Sequence, residues 1–225
     1  MDENDRHERV KKLRADIRKL AKHSSGKSEH WGSYRKDAKE YVSGAFSFAY
    51  EFPDAEKSLR ELFDEKRREG KHAYAVDICG IADAKSLGAD HTFCLTLRMK
   101  STQRQKSETR TIFEGNIFDP LALRLMLKEF ENRKCGPSCV FFNPVGGLLG
   151  IPAETRDTAT QVLVKHFDAV YDVLEPGGHI YIQFNPFFLH EREKEQFIEH
   201  VSKKPYARLE EGRHIEFLRV IKGRG

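Results

Sequence analysis

The sequence has no apolar run approaching the roughly 18 residues that a membrane-spanning helix needs, so no span is expected. Cysteine is scarce: Cys79, Cys94, Cys135 and Cys139 are the only four in 225 residues. That excludes a disulfide framework, and with two of them in β-rich apolar runs it predicts reduced thiols in a cytosolic protein. Cys135 and Cys139 have no second Cys/His pair of ligand spacing nearby, so they do not make a zinc motif. A phosphate-cradling Walker loop and a full dinucleotide fingerprint are both missing. No nucleophile elbow accompanies His166 or His190, which leaves Ser-His-Asp hydrolysis without support. Charge of one sign is not in excess either: 39 Lys and Arg against 35 Asp and Glu give +4, which permits contact with nucleic acid but does not argue for it. The opening Met-Asp-Glu-Asn-Asp-Arg is too charged to read as a secretory signal.

What is present is organised around Ala73-Tyr-Ala-Val-Asp77-Ile-Cys-Gly80-Ile-Ala-Asp83. A short apolar run ending in an acid, with glycine three residues on, is the pattern of a buried parallel strand entering a tight turn at the ligand-binding edge of an open α/β sheet. Upstream, Val10, Leu13, Ile17 and Leu20 form a narrow stripe at helical spacing within a basic segment, residues 5–22. A polar linker follows, then Trp31-Gly-Ser-Tyr34, with the chain's single Trp. Further helices are expected over 36–49 and from Pro53 to Glu69, where Gly70 stops the second. Downstream, strands are expected at His91–Arg98, within Arg110–Asp119 (a strand and its turn), at Cys139–Phe142 and at His179–Phe184. They are separated by a two-turn helical segment to Gly88, an exposed basic loop (99–109), a helix opened by Pro120 and a long helix from Thr155 to Leu174. After a helix over Glu191–Lys203, Tyr206–Leu209 and His214–Ile221 are expected to form an antiparallel hairpin. The predicted class is α/β: a Rossmann-like, doubly wound, mostly parallel seven-stranded sheet with an antiparallel C-terminal hairpin, plus N-terminal helices. Residues 1–52 read as a helical extension or cap and 53–225 as the Rossmann-like domain.

In the order of its motifs the chain resembles the class I S-adenosylmethionine-dependent methyltransferases over about residues 53–222. Val76-Asp77-Ile-Cys79-Gly80 stands where that family has an acid and a glycine-rich turn. Gly115-Asn116-Ile117-Phe-Asp119 stands at its acidic turn after strand three, and Asn143-Pro144-Val-Gly146 at its motif after strand four. Leu174-Glu-Pro176-Gly177-Gly178 matches its turn before strand five. The departures are specific. Only Gly80 remains of the glycine turn, Asn116 replaces an acid, the second proline and aromatic after Pro144 are absent, and strand two ends Leu95-Thr96-Leu97-Arg98 without a carboxylate for the ribose.

The resemblance implies S-adenosylmethionine as cofactor, with Asp77 at its amino-acid end, Cys79 and Gly80 at the close-approach turn, and Asn116 with Ile117 beside adenine. It implies that Asn143 and Pro144 hold the methyl acceptor, with Trp31 and Tyr34 capping the pocket. Each of these residues also has a plain structural reading, as a turn, loop or core residue. His179, which opens strand five, is expected to be structural. A small-molecule acceptor is favoured, and the basic stretches at 5–22 and 100–110 leave nucleic acid open. The alternatives are a fold of this kind that binds without catalysing, and another nucleotide-binding α/β enzyme.

Overall fold

A computed structural model describes residues 3–23, 48, 50–78, 84–96, 108–115, 120–142, 159–184 and 191–225. Within them lie helices α1 (Glu3–His23), α2 (Ala55–Arg68), α3 (Ala84–Leu87), α4 (Pro120–Arg133), α5 (Ala159–Val173) and α6 (Glu191–Ser202). The strands are β1 (Tyr74–Ile78), β2 (His91–Thr96), β3 (Arg110–Glu114), β4 (Cys139–Phe142), β5 (His179–Gln183), β6 (Ala207–Glu211) and β7 (Phe217–Lys222). They form one seven-stranded sheet in the order β3-β2-β1-β4-β5-β7-β6, parallel from β3 to β5 and closed by the antiparallel pair β7 and β6. The expected class and strand count hold. No helix among the described residues is long and apolar enough to cross a membrane.

Both faces of the sheet are covered, as a parallel sheet requires. Tyr74, Val76 and Ile78 of β1 join a core with α1, α4, α5 and α6, through residues such as Ile17, Leu123, Phe167 and Phe197. Ala73 and Ala75 face the other way, toward Phe48, Phe52 and the Leu59–Phe63 stripe of α2. By this alternation β1 carries Tyr74, Val76 and Ile78 on one face and Ala75 and Asp77 on the other. Helix α2 ends in a Schellman cap: Lys71 N–H donates to Lys66 C=O (2.9 Å), Gly70 N–H donates to Arg67 C=O (3.0 Å), and Gly70 takes φ +70°.

Helix α1 packs Val10, Leu13 and Ile17 onto the core and lies beside the edge strand β3. Arg14 Nε donates to the outward carbonyl of Ile112 (3.1 Å), occupying a hydrogen-bonding group that a sheet edge otherwise exposes. At its N-terminal half, Arg9 donates through Nε and Nη2 to the two oxygens of Glu129 (3.1 and 2.9 Å). Glu129 also takes Arg133 Nε (2.8 Å), and Arg133 reaches the Tyr74 hydroxyl (3.1 Å). The helix therefore runs from the amino edge of the sheet, near Arg133, to the carboxyl edge, where Ile17 lies against Gly115; a Cβ there would sit 2.5 Å from Ile17 Cγ2.

Some boundaries differ from expectation. Asp77, expected to end the first strand, is the fourth of its five residues, paired on both sides. The last strand begins at Phe217 rather than His214, because His214 is captured by Glu51 while the Glu216 carbonyl accepts from Phe184 N–H (2.6 Å). The Leu174–Gly178 turn sits at the amino edge, where Glu175 accepts Gly136 N–H (3.2 Å) and pairs with Lys66 (2.5 Å); here the motif starts β5 and touches no ligand edge.

Candidate ligand site at the carboxyl edge of the sheet

The chain leaves β1 for β2 and β3 on one side and returns to β4 on the other. Such a reversal, here above the carboxyl ends of β1 and β4, is the place where open α/β sheets take ligands. Asp77 stands at this point, 6% exposed, level with Cys94 of β2 and Phe141 of β4. It shares the α2 face of the sheet with Cys139. Burial first, and then the charge of Asp77, push the Cys139 thiol well above its usual range, so it stays protonated. Cys94, Cys135 and Cys139 are not in disulfides.

Of the residues singled out in the sequence, Asp77 is described. Cys79, Gly80, Asn116, Ile117, Asn143, Pro144, Trp31 and Tyr34 lie outside the described residues. The strand ends that lead into them are described: Ile78, before Cys79, is paired with Phe142, before Asn143, while Gly115, before Asn116, lies on the far side of β2. Gly115 is tied to β2 by its N–H donating to Thr96 C=O (2.8 Å).

Two features were missed in the sequence. Glu114, the last residue of β3, is an acid buried at the same edge, 8% exposed. The only signal was its position before Gly115 in a β-rich run. The second is a strap. Phe48 packs among Phe141, Tyr181 and Phe217 at centroid distances of 5.7, 5.5 and 5.7 Å. Three residues on, buried Glu51 accepts both His214 N–H (2.8 Å) and His214 Nδ1 (2.7 Å), while the Glu51 carbonyl accepts Arg213 N–H (3.2 Å). Tyr50 stacks on the His214 ring at 6.2 Å. Phe48 thus fastens the strap to the sheet, and Tyr50 and Glu51 fasten it to the β6–β7 turn at the carboxyl edge.

The hydrogen bond to Glu51 and then its charge raise His214 above the imidazole value of 6.5; Glu216 adds to this and Arg213 opposes it. A raised folded-state value means that the ion pair is fully formed below about pH 6.5 and is lost as pH rises through the higher folded value. Thermal melting of the wild type is expected to fall between pH 6 and pH 8 by more than that of Glu51→Gln. Equal falls in the two proteins would remove the strap from the account of pH dependence.

Deeper in the same face, Arg219 pairs with Glu210 and donates through Nη1 to Asp54 (2.9 Å) over the Phe52 ring. His179 lies beside Tyr181 (Nδ1 to hydroxyl, 3.2 Å); burial, and next the charge of Arg219, push it down to about 4. It is neutral at physiological pH and held inside the structure, in keeping with a structural role.

No family model matches this sequence, and no curated protein sequence matches it significantly. Solved structures do match. The MycE methyltransferase of mycinamycin biosynthesis, in complex with Mg and SAH, aligns at a TM-score of 0.52 with 14% identity over 84% of this chain and 54% of MycE. The fold is that of the class I S-adenosylmethionine-dependent methyltransferases. The chain spans about half the length of MycE. Also similar are an rRNA methylase from Streptococcus thermophilus (15% identity, 75% of this chain and 94% of that one, TM-score 0.45) and DesVI of Streptomyces venezuelae (13%, 80% and 96%, TM-score 0.43). At such identities the likeness speaks to the methyltransferase fold alone.

Proposed function

We propose that this chain binds S-adenosylmethionine at the carboxyl edge and transfers its methyl group to an acceptor, a small molecule in the first instance. The observation that carries the reading is Asp77, a buried acid at the switch point of a methyltransferase-fold sheet. The side chains suit the cofactor: Asp77 is an acceptor for a cationic amino-acid end, in a setting where low dielectric strengthens the attraction. When bound, S-adenosylmethionine supplies an electrophilic methyl group on a sulfonium. The protein's part is positioning and exclusion of water. Cys139 stays protonated and takes no nucleophilic role. Gly80 and Cys79 give close approach, Asn116 and Ile117 flank the base, and Asn143 with Pro144 holds the acceptor.

Residues 1–52 form the cap in this reading, with Trp31 and Tyr34 over the pocket. What supports it is the anchoring on either side of these residues: α1 reaches the carboxyl edge at Ile17, and the chain is fastened there again at Phe48 to Phe52. Thiols outside any disulfide suit the cytoplasm. Calorimetric titration of the purified protein with S-adenosylhomocysteine tests the reading. A dissociation constant in the micromolar range is expected. A folded protein that binds neither this product nor S-adenosylmethionine would overturn it and leave a methyltransferase fold serving as a binding module.

A further inference from the structure

The end of β2 offers Thr96, an uncharged side chain, and in the register of the sheet Thr96 is paired with Glu114 of β3. Asp77, Cys94 and Ile112 are level across three strands. Glu114 lies two residues beyond Ile112, so by the two-residue period of a strand it shares the sheet face of Asp77. Two strand spacings sideways and two residues forward put the Cα atoms of Asp77 and Glu114 roughly 12 Å apart. Two buried carboxylates thus stand on one face of the ligand edge, one over the switch point and one toward the outer strands. A carboxylate has two acceptor oxygens and no donor, which matches two neighbouring hydroxyls that each donate one bond. The spacing suits a nucleoside whose 5′ substituent carries an ammonium group, with the ammonium toward Asp77 and the diol toward Glu114.

We propose, resting on the function given above, that Glu114 accepts the vicinal ribose hydroxyls of the bound nucleoside, so that the diol acceptor stands on β3 instead of β2. The backbone at this position is fixed. Gly115 N–H is bonded to Thr96, the Ile112 carbonyl is bonded by Arg14, and Ile17 of α1 closes on Gly115. Such anchoring fixes the backbone from which the carboxylate projects.

The test is calorimetric titration of the full chain, wild type and Glu114→Gln, with S-adenosylhomocysteine and with its 2′,3′-dideoxy analogue. The wild type is expected to prefer the ribose form by between about tenfold and a hundredfold, the range for hydrogen bonds to a charged group. Glu114→Gln is expected to lose most of that preference while binding the dideoxy ligand as the wild type does. Glu114→Asp, which keeps the charge on a shorter arm, is expected to fall between the two and stands in if the Gln variant does not fold. A variant that keeps the wild-type preference overturns the assignment. So does one that weakens both ligands equally, since Glu114 then only supports the loop structure. Failure of the wild type to bind S-adenosylhomocysteine at all would strike the underlying function first, and the assignment with it.

Discussion

Asp77→Asn is expected to weaken S-adenosylhomocysteine binding by about a hundredfold or more, the range for removing one partner of a desolvated charge pair. The substitution conserves shape. β1 is the central strand, with β2 and β4 bonded on either side, so the backbone at Asp77 is held by two ladders that Asn leaves intact. What changes is a negative charge in a site where water does not screen it. Urea melts should then show a small change in stability beside a large loss of affinity in calorimetry. Asp77→Ala serves as the harsher control, since it also empties volume beside Phe141 and Cys94. An Asp77→Asn protein that binds like the wild type would reduce Asp77 to a carboxylate that orders its own turn.

Glu129→Ala is expected to destabilise the fold by about 3–5 kcal/mol, as when one partner of a buried ion pair is removed. Glu129 is fully buried and accepts from Arg9 and Arg133, and Arg133 is itself largely buried against Tyr74 and Phe93. Removing the acid leaves the Arg133 guanidinium inside without its counter-charge. Arg9→Ala should have a smaller effect, because Arg9 is partly exposed and its removal leaves Glu129 with Arg133. Urea unfolding of both single variants and the double variant measures the coupling; a Glu129→Ala loss under about 1 kcal/mol would mean that water replaces the carboxylate readily.

The sheet could be read from the sequence because its strands are short apolar runs bounded by glycine, proline and polar residues, and because helical stripes such as Val10, Leu13 and Ile17 keep their period. The acid at the switch point was readable for the same reason: Asp77 interrupts a run that is otherwise buried. Glu114 escaped notice because an acid in an alternating strand looks like a solvent-facing residue until the register shows which face it is on. The start of β7 was misjudged because His214 and Ile215 have good strand character; only Glu51, far away in sequence, draws His214 out of the ladder. The pairing of Arg9 with Glu129 joins residues 120 positions apart and leaves no local trace.

That last separation bears on how the chain is made. Helix α1 leaves the ribosome well before the groups to which it bonds: Ile112 and Glu129 come 98 and 120 residues after their partners. At about 5–20 residues per second, the helix waits roughly 6–24 s for Glu129 to be synthesised. For most of that interval Val10, Leu13 and Ile17 lack the β3 and α4 surface they finally cover. The edge of β3 is sealed only when α1 arrives, so docking of the first helix is a late event in folding, and until then both the stripe and the strand edge are open to chaperones or to neighbouring chains.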